Sequence, residues 1–367
     1  MNPRTAFSFL LIAAPLTFVA ACGGKKGASP SSDAASATPA ASGGAKGLAA
    51  VPPKLAADVQ KAMACKSFDV GFDSNCADYK AYYDQKDDFI DGKADAALVS
   101  LLEDSSEKVR YLGAMKLNQY GKTFATDKAL AARVVAAAAA ETSKFSGYEM
   151  GSAAGRVRST DTGLTDKQAA IVKAHAVPEV RRGMLGYVLF TNGENNTIYD
   201  LVSATVKDKD KGIGLAALQA FWVGGSHRLA DTCNLYAANV DNADDSISAE
   251  ATNALPWYRQ CSSHYDALLT SIGKRVDASK VPSASFASAL KHVCEPDGKA
   301  SDPQKKTAQK IAKSMAESKS LQGWTRASAL DALVTCDPKG EKKELKKLAS
   351  DADADVKKKA SELLAAK

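Results

Sequence analysis

Two short runs carry side chains that bind zinc, Cys261-Ser-Ser-His264 and His292-Val-Cys294. Zinc accepts thiolate and imidazole ligands, provided that all of them converge on one tetrahedral point. A helix puts Cys261 and His264, three apart, on one face, but it splits His292 from Cys294, two apart. "DADADVKKKASE" sets Asp351, Asp353, Asp355 and Glu362 at the first, third, fifth and twelfth places of a calcium-loop count. Val356 stands where that loop needs a glycine for its sharp turn. His175 and His227 have no nucleophile and carboxylate beside them in a catalytic motif. Gly212-Ile213-Gly214 and Val223-Gly224-Gly225-Ser226-His227 are not followed by the Gly-Lys-Ser/Thr of a phosphate-binding loop. Trp222, Trp257 and Tyr258 are candidates to line a groove or to pack. The sequence thus assigns no catalytic residue, metal, cofactor or small-molecule ligand.

The N-terminus carries a different chemistry. Arg4 precedes the apolar run "AFSFLLIAAPLTFVAA", which is too short and too Pro-interrupted for a comfortable membrane span and reads as a secretory signal over residues 1–21. Val19-Ala20-Ala21-Cys22 at its end resembles the lipobox of bacterial lipoproteins. The resemblance implies cleavage before Cys22, a thioether-linked diacylglycerol on its sulfur and acylation of the new amino terminus. With several chains on one residue, at about 0.8 kcal/mol per buried methylene, the protein would stay on a membrane. Gly23 and Gly24 follow with no aspartate, which by the same resemblance favours the outer membrane, on its periplasmic face or at the cell surface. Residues 22–50, rich in Ala, Ser, Gly and Pro, are expected to form a disordered tether with a reach of roughly 30 Å.

The 367 residues, 45% hydrophobic and 25% charged, are enough for a folded soluble body beyond that tether. Abundant alanine and few aromatics lean toward helix. The body repeats itself. Val109-Gly113-Leu117, Val180-Met184-Val188, Ile213-Ala217-Phe221, Ile247-Ala251-Leu255, Ser285-Ala289-Val293, Thr325-Ala329-Leu333 and Val356-Ala360-Leu364 each place an anchor, a middle residue (small in every copy but that of Met184) and a large apolar residue at steps of four, and a weaker copy starts at Met150. Steps of four trace one face of a helix. An amphipathic stretch precedes these anchors, as "DAALVSLL" does before Val109, and Asp- and Ser-rich turns separate the two, suited to starting the second helix. A repeat period of this size marks stacked helix pairs.

"LVSLLEDSSEKVRYLGAMKL", "VPEVRRGMLGYVL" and "LKKLASDADADVKKKASELL" resemble HEAT repeats, with a turn aspartate and Val-Arg or Val-Lys opening the second helix. The resemblance covers residues 93–367 and implies an all-α, right-handed α-solenoid of about eight stacked helix pairs, in which no repeat buries its core alone. Residues 51–92 read as an N-terminal helical cap: a helix begun by proline, a loop, and a short second helix.

Beyond Cys22 stand Cys65, Cys76, Cys233, Cys261, Cys294 and Cys336. An even number in an exported chain suggests disulfides, and six allow 15 connectivities. Cys65 and Cys76 flank the loop of the cap and would staple it. Cys261, Cys294 and Cys336 fall at the ends of second helices, which a solenoid brings together, so Cys294 is expected to pair with Cys336, leaving Cys233 for Cys261.

From Lys299 to Lys367 there are 16 basic and 10 acidic residues, an excess equal to the whole chain's +6. Such an end suits an anionic lipid headgroup or acidic partner, or simply a solvated lysine face. Nucleic acid does not fit an exported, lipid-tethered chain. The expectation is a scaffold that binds another envelope protein; an envelope enzyme with a site built from distant side chains, or an envelope assembly or integrity factor, are the alternatives. The tether itself has a direct check: the Cys22→Ser protein should leave the membrane fraction for the soluble fraction, and unchanged membrane retention would refute lipidation at this residue.

Overall fold

The structure is a computed structural model and describes residues 46–366 apart from 70, 159–161, 282 and 339. The signal, Cys22 and most of the tether lie outside the described residues. Those that are described belong to one compact unit.

The unit begins earlier than the tether reading allows. Gly47–Ala50 form a 3-10 turn, and the Leu48 N–H donates to Asp104 Oδ2 at 2.9 Å. Leu48 is the first branched apolar residue after the Ala/Ser/Gly stretch, and it packs against the core. Beyond it come α1 (Pro53–Met63), the strands β1 (Ser67–Phe68) and β2 (Gly71–Phe72), and α2 (Ala77–Asp84). The loop between the helices is therefore a small antiparallel hairpin, with Ser67 opposite Phe72. The Cys65–Cys76 disulfide closes its base.

Eight helix pairs follow: α3 (Asp95–Leu101) with α4 (Glu107–Tyr120), α5 (Lys128–Ala139) with α6 (Lys144–Gly155), α7 (Thr162–Ala174) with α8 (Pro178–Asn192), α9 (Asn196–Thr205) with α10 (Lys211–Gly224), α11 (Leu229–Asn239) with α12 (Asp245–Trp257), α13 (Tyr265–Asp277) with α14 (Ser285–Cys294), α15 (Asp302–Glu317) with α16 (Gly323–Cys336), and α17 (Lys342–Leu348) with α18 (Ala354–Ala365). Each second helix packs on the next, from α4 through to α18. This is a HEAT-like α-solenoid. The anchors Val109, Met150, Val180, Ile213, Ile247, Thr325 and Val356 are buried, as are the residues four further on. Ser285 is the exception, only half-buried because it opens α14, and Phe286 is buried beside it.

The turns show why the helices start where they do. Asp210, Asp244 and Asp353 each accept backbone N–H bonds from the first turn of a second helix, removing donors that would otherwise be unpaired. Asp104 does not start α4 in this way. Its Oδ1 accepts from Ser106 N at 2.8 Å, and its other oxygen holds Leu48.

Arg110 links its own turn to the following pair. Its Nη1 donates to the carbonyls of Asp104 and Ser105, and its Nε and Nη2 reach both oxygens of Glu141 at 2.8 and 2.7 Å. Arg181 repeats the pattern, from Val172 O at 2.7 Å to Asp208 at 2.5 Å, and Arg326 goes from Ala316 O at 2.9 Å to Asp351 at 2.6 Å. The hydrogen bonds and charge of Arg326 hold the Asp351 carboxyl below the usual range. Arg326 follows Thr325 rather than Val, which hides the motif. In α12 the place is taken by Ser248, whose hydroxyl donates to Val240 O at 2.6 Å.

The N-terminal cap packs on α4. Phe72 meets Tyr111 and Phe145, and Tyr82 Oη donates to Leu112 O at 3.3 Å. Lys116 is fully buried beneath it. Its ammonium donates to Tyr83 O and Gln85 O at 2.8 and 2.6 Å, among the rings of Tyr82, Phe89 and Tyr120 about 5 Å away. Burial pushes its pKa down to about 8.

Helices α6 and α8 approach closely. A Cβ on Gly183 would lie 2.0 Å from Tyr148 O, and one on Gly151 would lie 2.1 Å from Val180 O. Both obstacles are backbone and cannot rotate away. Gly183→Ala should therefore lower stability by about 1–3 kcal/mol, read as a fall in melting temperature; an unchanged melting temperature would refute the close crossing.

Candidate protein-docking face

Ten residues beyond the anchor, three successive second helices carry an exposed apolar side chain: Phe190 on α8, Val223 on α10 and Trp257 on α12, at 60%, 47% and 51% exposure. The equivalence follows from the repeat, since Val180, Ile213 and Ile247 are the buried anchors of those helices. An aromatic row lies alongside. Trp222 meets Trp257 edge to face, with ring centroids 5.9 Å apart, and Trp257 lies 4.4 Å from the His292 ring on α14.

Local chemistry sets these rings in place. The Trp222 indole N–H donates to Glu250, which also accepts from Gln219 Nε2 at 3.2 Å. Pro256 brings α12 to its end, since it cannot donate within a continuing helix. Tyr258 then leaves helical geometry and its hydroxyl donates to the carbonyls of Phe221 and Trp222. Tyr258 is thus a packing residue, whereas half of Trp257 stays in solvent. His292 Nδ1 lies 3.0 Å from Glu295, which also meets Arg259 at 3.2 Å, and Arg259 reaches Asp297 at 2.5 Å. Partial burial pushes the Glu295 carboxyl up, but the bonds and charges of His292 and Arg259 outweigh it and hold it below the ordinary range.

Disulfides brace both sides of the row. Cys233 bonds Cys261, with Cα atoms 5.2 Å apart, and Cys294 bonds Cys336 at 4.8 Å. Cys294 and Cys336 end α14 and α16. Cys261 differs from its expected place: it sits in a 3-10 turn, Arg259–His264, after α12, and its partner is on α11, the first helix of the same pair. With the cysteines so bonded, the two Cys/His runs offer no thiolates to zinc. Among the described residues no group of three or more His, Cys, Asp or Glu is arranged to hold a metal ion. Two of the four carboxylates of the calcium-like count are engaged, Asp351 by Arg326 and Asp353 by the start of α18. His175 accepts a bond from the backbone N–H of Val177. Among the described residues no helix is long and apolar enough to cross a membrane.

No family model matches the chain, and no curated protein matches it. Solved structures of Kap121p, a karyopherin, are similar to it. Kap121p bound to Pho4p aligns over 85% of this chain and 36% of its own at 14% identity, with a TM-score of 0.56. Kap121p bound to Ste12p aligns over 84% of this chain and 40% of its own at 12% identity, with a TM-score of 0.54. The chain spans less than half the length of that protein, and the likeness is one of fold.

The Cys294–Cys336 bond spans 42 residues. By chain entropy a loop of that length contributes about 4 kcal/mol. The double variant Cys294→Ser/Cys336→Ser should show that loss in denaturant unfolding, and equal midpoints for the two proteins would refute it.

Proposed function

We propose that the protein is a HEAT-repeat scaffold of the bacterial cell envelope, tethered through Cys22, that holds another envelope protein along its second-helix face. It acts by binding, not by catalysis. The observation that carries this reading is the exposed row of Phe190, Val223 and Trp257, with Trp222 and His292 beside it. Large aromatic side chains held rigid by their neighbours are the usual anchors of protein interfaces, because they bury much area while losing little rotamer freedom. The repeat supplies one such place per second helix, so an extended segment would meet them in series. The solved complexes of Kap121p, with Pho4p and with Ste12p, are consistent with a solenoid of this kind holding a protein. The lipobox resemblance supports the address.

Crosslinking followed by recovery from detergent extract tests the reading. The wild-type protein should bring down one envelope protein in stoichiometric amount. Trp257→Ala should cut that recovery at least about ten-fold, as loss of an interface anchor does, while the melting temperature stays nearly unchanged. Recovery of no partner, or equal recovery by the variant, would overturn it.

A further inference from the structure

Most of the basic excess of residues 299–367 is gathered on the first helices. On α15, Lys306, Lys310 and Lys313 recur at helical spacing, and on α17 Lys342, Lys343, Lys346 and Lys347 crowd into seven residues. The two helices stand side by side. Gln309 Nε2 donates to Glu341 at 2.7 Å, Lys313 meets Glu344 at 3.1 Å, and Lys347 meets Glu317 at 2.6 Å. These contacts use up the carboxylates of the seam. Lys306, Lys310, Lys342, Lys343 and Lys346 are exposed and, among the described residues, have no carboxylate within ion-pair distance.

We infer that this lysine face of α15 and α17 docks on the anionic surface of a lipid bilayer. Two observations favour a bilayer over a protein. The face carries no apolar centre: the large exposed hydrophobic side chains are Phe68, Tyr83, Ile90, Tyr148, Phe190, Val223, Trp257 and Trp324, none of them on α15 or α17. Protein interfaces are built on such centres and are depleted in lysine. The free cations are also all lysines. A lysine ammonium is a hydrated point charge without the planar fork that reads one carboxylate or phosphate, so it suits a diffuse sheet of headgroup charge. The inference does not rest on the aromatic row, which lies on the second helices. Its consequence is orientation, with the C-terminal repeats held at the membrane.

The test uses the chain from Gly44 to Lys367, which contains the whole compact unit and all three disulfides but not Cys22. It should co-sediment with phosphatidylcholine vesicles containing about one third phosphatidylglycerol at least about ten-fold better than with phosphatidylcholine alone, and the advantage should fade as salt rises from about 50 to about 300 mM. Each lysine near such a surface is worth about five-fold in binding, so the combined reversal of Lys306, Lys310, Lys343 and Lys346 to Glu should cost at least about 100-fold. Reversal of Lys61, Lys128, Lys144 and Lys207 should change binding by less than about two-fold beyond the shared effect of net charge. Equal binding to neutral and anionic vesicles, or equal loss in the two quadruple variants, would overturn the inference. So would tighter binding to polyglutamate than to the vesicles, which would assign the face to an acidic polypeptide. The Trp257→Ala protein should bind vesicles like wild type, whatever becomes of the protein partner.

Discussion

Everything in this molecule depends on second helices packing against second helices. A single helix pair has too little apolar surface to bury its own core, so Val109, Val180, Ile213 or Val356 becomes a core residue only when neighbouring elements cover it. At one end the problem is solved by different means. The hairpin and α2 lay Phe72, Tyr79 and Tyr82 over α4, and the buried ammonium of Lys116 ties that cover to α4 through the carbonyls of Tyr83 and Gln85. At the other end Leu364 of α18 is only half-buried.

Because packing occupies one side of each second helix, the opposite side is left with a regular series of positions whose spacing the core sets. Phe190, Val223 and Trp257 occupy one such series. Their arrangement is a by-product of the core in geometry but not in chemistry, since core packing does not demand large apolar groups in water. The first helices offer a second, independent series, and there the chain has placed lysines. One scaffold thus presents two surfaces of opposite character.

Much of the solenoid could be read from sequence because steps of four are local, and the Cys294–Cys336 pairing followed from where repeats end. Other features needed three dimensions. Arg326 does the work of Arg110 and Arg181, but its Thr anchor masks the likeness, and only its bonds to Ala316 and Asp351 reveal it. Asp104 looked like a helix start and instead receives Leu48, from a stretch whose composition suggested no structure. The repeat pattern also does not say which neighbour Gly113 faces: a Cβ there would meet Leu101 of its own first helix at 2.7 Å. The aromatic row was the least legible: Trp222, Trp257 and His292 stand one repeat period apart, 35 residues each time, yet they fall nine, ten and seven residues beyond their anchors, so the repeat alone does not align their rings.

The disulfide between the ends of α14 and α16 has a mechanical consequence. A solenoid behaves as a spring whose compliance is spread over its inter-repeat seams. Fixing the Cα atoms of Cys294 and Cys336 4.8 Å apart removes the opening mode at that end of that seam. The Cys233–Cys261 bond lies within one pair and leaves the seam between α10 and α12 free to flex. That seam carries the contact between Trp222 and Trp257. The spring is therefore stiffer at the seam between α14 and α16 than at the seam between α10 and α12, where the two indoles meet.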